Sequence, residues 1–158
     1  MNPSPPPFLP FLPDGTVYGT LLNFRREHAL WAPRMHEAPY KAPPNAPVLY
    51  IKTANTFTRS GQPIALPQGV VEVAASLGLV AGEGGRVAGA VLFNDVAIPH
   101  QSYYRPPVKF RCVDGFLGVG DVLRPVTDLG ELSSLVLELR VDGVVQPRLP
   151  VCCSCLVP

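Results

Sequence analysis

Between Asn94 and Phe116 the chain gathers two aspartates, a histidine, two tyrosines and several cations. Asn94-Asp95 follows directly on an apolar run, Ala88 to Phe93. His100, Tyr103, Tyr104, Arg105, Lys109 and Arg111 come next, and an Asp114-Gly115 turn closes the stretch. A carboxylate, a phenol and cations on a loop after a strand are how a scaffold presents a site to a small anion. Arg105, Lys109 and Arg111 have the charge to hold a dicarboxylate. His100 is a candidate general base near neutral pH. Arg111 holds a fixed charge and cannot serve as a base there. Lys109 shares its face if the segment is extended.

The elements that must position this loop are mostly strands. Gly15 to Leu22 is rich in β-formers, and Val48 to Lys52 is a compact apolar run bounded by turn residues. Val71 to Leu79 alternates, with Val71, Val73, Ala75, Leu77 and Leu79 on one face. Glu83-Gly84-Gly85 turns the chain, and Arg86 to Phe93 returns, which predicts a hairpin. Leu135 to Val141 alternates again, and Asp142-Gly143 is the strongest hairpin signal in the chain. Its return, Val144 to Gln146, is cut short by Pro147 and Pro150. Arg25 to Glu37 is the one helix candidate, ended or kinked by Pro33. Thr53 to Gly61 reads as loop and Pro63 to Pro67 as a short edge element. The fold class expected is mainly β (α+β), a mixed sheet with short helices.

Bulk properties narrow the classes. The chain has 158 residues, enough for one domain with one core. A formal net charge of +1 with 16% charged residues argues against a nucleic-acid footprint, which needs clustered Lys and Arg. The 20 prolines and 14 glycines disfavour long helices. No apolar run reaches the length of a membrane span, and the proline-broken N-terminus is not a secretory signal, so a cytoplasmic setting is expected. Residues 1–14 read as a proline-rich disordered tail. Cys152, Cys153 and Cys155 form C-C-x-C with no second knuckle, a poor zinc pattern.

An ordered series of short motifs resembles the fumarylacetoacetate hydrolase superfamily, in its isomerase/decarboxylase branch of homoprotocatechuate (4-hydroxyphenylacetate) catabolism. The series is Gly15-Thr16-Val17, Asn23, Pro39-Tyr40-Lys41-Ala42-Pro43-Pro44, Ile51-Lys52, Asn55-Thr56, Pro67-Gln68-Gly69, Asn94-Asp95-Val96, Tyr104-Arg105-Pro106, Val108-Lys109 and Asp114-Gly115-Phe116. The resemblance implies a mixed β-sheet roll over residues 15–146 and chemistry on enol or 2-oxo diacids. It also implies Mg²⁺ or another divalent cation as Lewis acid. Asp95 then stands at a metal-ligand position. Lys109, Arg111 and His100 stand as catalytic candidates, and Tyr104 and Arg105 as substrate-binding ones.

The departures are as specific as the likeness. The family's Glu-x-Glu ligand positions fall on Ala74 and Ser76, neither a carboxylate. Glu72 lies on the same strand face as a shifted candidate. Glu27 occupies a family histidine slot, with His28 one residue late, and the catalytic lysine slot falls on Arg111. Residues 147–158 resemble nothing in the family and read as an aberrant or out-of-frame end, leaving the roll incomplete there. The expected role is a metal-poor, impaired half of an isomerase/decarboxylase. The alternative is a non-catalytic dicarboxylate-binding or scaffold module. Expected partners are a small diacid and a homologous metal-bearing subunit or a second copy.

Overall fold

The computed structural model describes residues 9–103, 108–146 and 149–150. In chain order the strands and helices are β1 (Leu9–Pro10), β2 (Val17–Leu21), α1 (Arg25–Trp31), β3 (Val48–Lys52), β4 (Phe57–Arg59), β5 (Glu72–Ala81) and β6 (Val87–Ala97). They continue with α2 (Val108–Arg111), β7 (Leu117–Val119), β8 (Val122–Pro125), β9 (Val136–Leu137), β10 (Arg140–Val141), β11 (Val144–Val145) and β12 (Leu149–Pro150). The architecture is a mainly β mixed sheet with few and short helices, as the alternation and proline content implied.

β6 organises the sheet. One edge pairs antiparallel with β5 along its whole length. The other pairs with β8 through Gly89 and Ala90, and with β7 through Phe93 to Asp95. β4 adds to β7 in parallel and β1 to β8 in antiparallel. A separate antiparallel pair, β2 and β3, runs in register from Val17 opposite Lys52 to Leu21 opposite Val48. Gly19 makes that pair possible. A Cβ there would lie 2.2 Å from Cζ of Tyr50, whose ring lies over the glycine.

Several expectations need correction. Leu9–Pro10 was expected in a disordered tail, yet it pairs with Val122 and Leu123. Phe11 donates its N–H to the Asp121 carbonyl at 3.1 Å and packs on the Val91, Leu117 and Val119 cluster. Proline density removed donors without preventing an edge strand, which needs few of them. Phe57–Arg59 was expected as loop but forms β4. Pro63 to Pro67 forms no strand. The alternating stretch Leu135 to Val141 is two short strands, β9 and β10, rather than one. β9 pairs with Leu149–Pro150, beyond the boundary expected at 146; the other residues from 147 on lie outside the described ones. The Asp142-Gly143 hairpin forms, with both residues at positive φ, 51° and 78°. The helix candidate breaks into α1 and a 3₁₀ turn, Ala32–Arg34, with Pro33 at its start.

No helix among the described residues is long and apolar enough to cross a membrane.

Candidate functional site

The site is built where β3 and the end of β6 meet. Strand periodicity puts Tyr50 and Lys52 on one face of β3, and both reach Asp95 of β6. Lys52 is wholly buried and Asp95 is 5% exposed. The Lys52 ammonium lies 2.8 Å from Asp95 Oδ1. It also donates to the carbonyls of Val96 at 2.6 Å and Phe116 at 2.9 Å. Two of the ammonium protons go to these carbonyls, and the contact with Asp95 Oδ1 is an ion pair without hydrogen-bond geometry. The Tyr50 hydroxyl donates to Asp95 Oδ2, and the Arg111 guanidinium approaches the same oxygen at 3.6 Å. The guanidinium also stacks on the Tyr50 ring, 4.2 Å from its centroid.

Burial pushes the Lys52 ammonium below its ordinary value, and the adjacent Asp95 carboxylate offsets part of that drop. The Tyr50 hydroxyl is pushed up, by burial first and then by the Asp95 charge. It therefore stays a donor.

α2 brings Arg111 to this point. The Ile98 N–H donates to the Phe110 carbonyl at 2.9 Å, fastening the turn to the end of β6. Asn55 donates to Asp114 at 2.6 Å, and Gly115 donates its N–H back to the Asn55 carbonyl at 3.0 Å. The segment is helical, not extended, so Lys109 and Arg111 point to opposite sides. Arg111 turns inward. Lys109 is exposed, its ammonium over the Phe110 ring at 4.8 Å.

A cleft of about 240 Å³ opens beside this cluster, lined by Glu27, Glu72, His100, Tyr103 and Arg111 among others. Glu27 enters from α1. Leu22, at φ 61°, turns the chain after β2 so that α1 folds back and the Glu27 carboxylate faces the Leu22 backbone. Burial raises the Glu27 carboxyl above its ordinary value. The Leu22 backbone and the Arg111 charge oppose that rise, and the Glu72 charge adds to it. His100 is exposed at the rim. Its Nδ1 is occupied by the Ser102 backbone at 3.1 and 2.8 Å, and its ring lies 5.1 Å from Phe110. Tyr103 is buried in a stack with Tyr40, centroids 4.2 Å apart, and edge-on to Trp31. No described residue bonds its hydroxyl.

Of the residues singled out from sequence, Asp95, Arg111 and His100 come to one region, and Lys109 points away from it. Tyr104 and Arg105 lie outside the described residues. Sequence reasoning passed over Tyr50, placed Lys52 only in a motif of the resemblance, and marked Glu27 only as a departure at a family histidine slot. A lysine closing a buried apolar strand was a usable signal, because a buried ammonium demands acceptors.

The donor set does not fit a divalent cation. Asp95 is already neutralised by a buried ammonium and flanked by a guanidinium. Ala74 stands opposite Asp95 in the β5–β6 register, where a second carboxylate would have to project. Glu72 is opposite Ala97, displaced along the strand towards the cleft. Among the described residues no three His, Cys, Asp or Glu side chains converge.

Comparisons with known proteins agree with this architecture. The family model described as fumarylacetoacetate (FAA) hydrolase C-terminal matches residues 16–151. The chain is 34% identical over 140 residues to the 4-hydroxyphenylacetate degradation bifunctional isomerase/decarboxylase of Escherichia coli. It is 36% identical over 137 residues to the protein of that name from Salmonella dublin. These matches cover 82% and 80% of this chain but 32% of each relative, so the chain spans about a third of their length. Among solved structures, a fumarylacetoacetate hydrolase family protein from Yersinia pestis CO92 superposes with a TM-score of 0.68 at 18% identity, covering 88% of this chain and 68% of that one. A fumarylacetoacetate isomerase/hydrolase from Oleispira antarctica gives 0.62 at 18% identity, covering 86% and 65%. These structural likenesses speak for the fold.

Proposed function

The chain belongs to the fumarylacetoacetate hydrolase family, and on that premise we propose that it is the metal-free half of an isomerase/decarboxylase acting on enol or 2-oxo diacids. In this reading it binds the carboxylate end of a diacid and works beside a homologous, metal-bearing unit in the cytoplasm. The curated relatives' role in 4-hydroxyphenylacetate degradation supports the substrate class. The observation that carries the reading is the state of Asp95. Its charge is met from inside by Lys52, and the residue serves to aim Arg111 at the cleft. A guanidinium fixed by a carboxylate and an aromatic ring is a preorganised receptor for a carboxylate.

What this chain's own residues do follows from that placement. Arg111 pairs with the ligand carboxylate, Glu27 and His100 offer proton-transfer groups at the cleft wall, and Tyr50 with Asp95 restricts the guanidinium. Lewis-acid polarisation of the 2-oxo group would fall to the metal-bearing unit.

The reading is tested by calorimetry with 2-oxoadipate in the presence of a chelator, on the chain and on Arg111→Gln. Size exclusion with and without a metal-bearing homologue tests the partnership. Metal-independent binding that Arg111→Gln abolishes is the expected result. Metal-dependent turnover by the chain alone, lost in Asp95→Ala, would overturn the proposal.

A further inference from the structure

The cleft that exposes Arg111 is walled by two glutamates, and this fixes how an anion can enter. Among the described residues, Lys52 and Arg111 are the cations of the cluster, and Asp95, Glu27 and Glu72 are its carboxylates. With His100 neutral, these described groups carry one negative charge in excess. Lys52 and Asp95 cancel each other as a buried ion pair, which leaves Arg111 facing Glu27 and Glu72. Among the described residues, a diacid brought to Arg111 therefore meets more negative charge than positive, in a partly enclosed space where like charges repel strongly.

We propose, resting on the reading of Arg111 as a carboxylate receptor, that this cleft takes up a small dicarboxylate together with a proton, and that Glu27 is the group that receives it. Protonation removes one repelling charge and turns the Glu27 carboxyl into a donor towards the bound anion. Glu27 is favoured over Glu72 by its surroundings. Glu27 is half-buried at the foot of α1, beside the Leu22 backbone, whereas Glu72 is exposed at the end of β5. Burial already biases Glu27 towards its neutral form. Among the described residues, the charged or titratable groups facing it are Arg111 from α2, Glu72 from β5, Tyr50 from β3, and His100 and Tyr103 beyond β6.

The experiment is titration calorimetry of the full chain with 2-oxoadipate and a chelator, in buffers of different ionisation enthalpy across the acid-to-neutral range. The expected result is net proton uptake on binding, with affinity falling by up to about tenfold per pH unit above the Glu27 transition. Glu27→Gln should abolish most of the uptake, flatten the pH dependence and bind more tightly at neutral pH. His100→Gln and Glu72→Gln should keep the uptake. The wild-type measurement needs no variant to fold. Binding without proton uptake, or uptake that survives Glu27→Gln and vanishes in His100→Gln or Glu72→Gln, overturns the inference while leaving Arg111 as receptor. Absence of binding at every pH overturns both.

Discussion

Lys52 and Asp95 meet at 2.8 Å where almost none of either side chain reaches solvent. Each would be costly alone. Lys52→Met should therefore lose about 3–5 kcal/mol, because it strands a buried carboxylate. Lys52→Met with Asp95→Asn should lose less than the sum of the two single changes. Urea unfolding of the four proteins in the cycle measures this coupling, and additive losses would contradict it.

Tyr50 links that pair to the cleft. Tyr50→Phe removes a bond to a buried carboxylate and should cost about 1.5–3 kcal/mol. Gly19→Ala forces the same ring aside and should cost about 1–3 kcal/mol. Both changes loosen Arg111, so both should weaken binding of 2-oxoadipate. Unchanged affinity in both variants would show that Arg111 does not depend on the ring.

Glu27 should leave a signature in stability as well as in binding. Its folded-state value is raised, so the folded chain keeps this proton through a range in which the unfolded chain has lost it. The ionised carboxylate is thus a cost at neutral pH, and the cost disappears as pH falls below the unfolded value. Glu27→Gln should melt higher than the wild type at about pH 7 and lose that advantage by about pH 4. An equal difference at both would refute it.

Divalent cations should not stabilise the fold. Melting curves with added Mg²⁺ or Mn²⁺, and with a chelator, are expected to superimpose. A saturable rise with Mn²⁺ that Asp95→Ala removes would show that Lys52 yields the carboxylate to a metal.

Leu132, 2% exposed, sits in a 3₁₀ segment and packs with Ala90 and Val126 under the β6–β8 region. Leu132→Ala should cost about 2–5 kcal/mol. A cost below 1 kcal/mol would mean that this segment is dispensable for the sheet.

Local pattern carried much of the fold. The β5–β6 hairpin and the Asp142-Gly143 turn were legible because period two and turn chemistry act over neighbouring residues. β4 was not, because a three-residue strand paired in parallel with β7 is specified by a partner some sixty positions away. The site divides along the same line. Asp95 and Arg111 stand in one conspicuous stretch. The residues that give them meaning come from β3 and α1, and only tertiary pairing joins them. Lys109 was misplaced for a local reason, since one helical turn at Val108–Arg111 reverses the facing that an extended chain would give.

The N-terminal pairing of Leu9–Pro10 with β8 has a practical side. The family match starts at residue 16, yet Phe11 already shields Val91, Leu117 and Val119. A protein trimmed to the matched span would lose only Gly15 from the motif series, yet bare part of the floor beneath β6. Its melting point would then understate what the same sheet achieves with its own leading residues in place. Comparisons of stability between relatives cut at family boundaries would inherit that error.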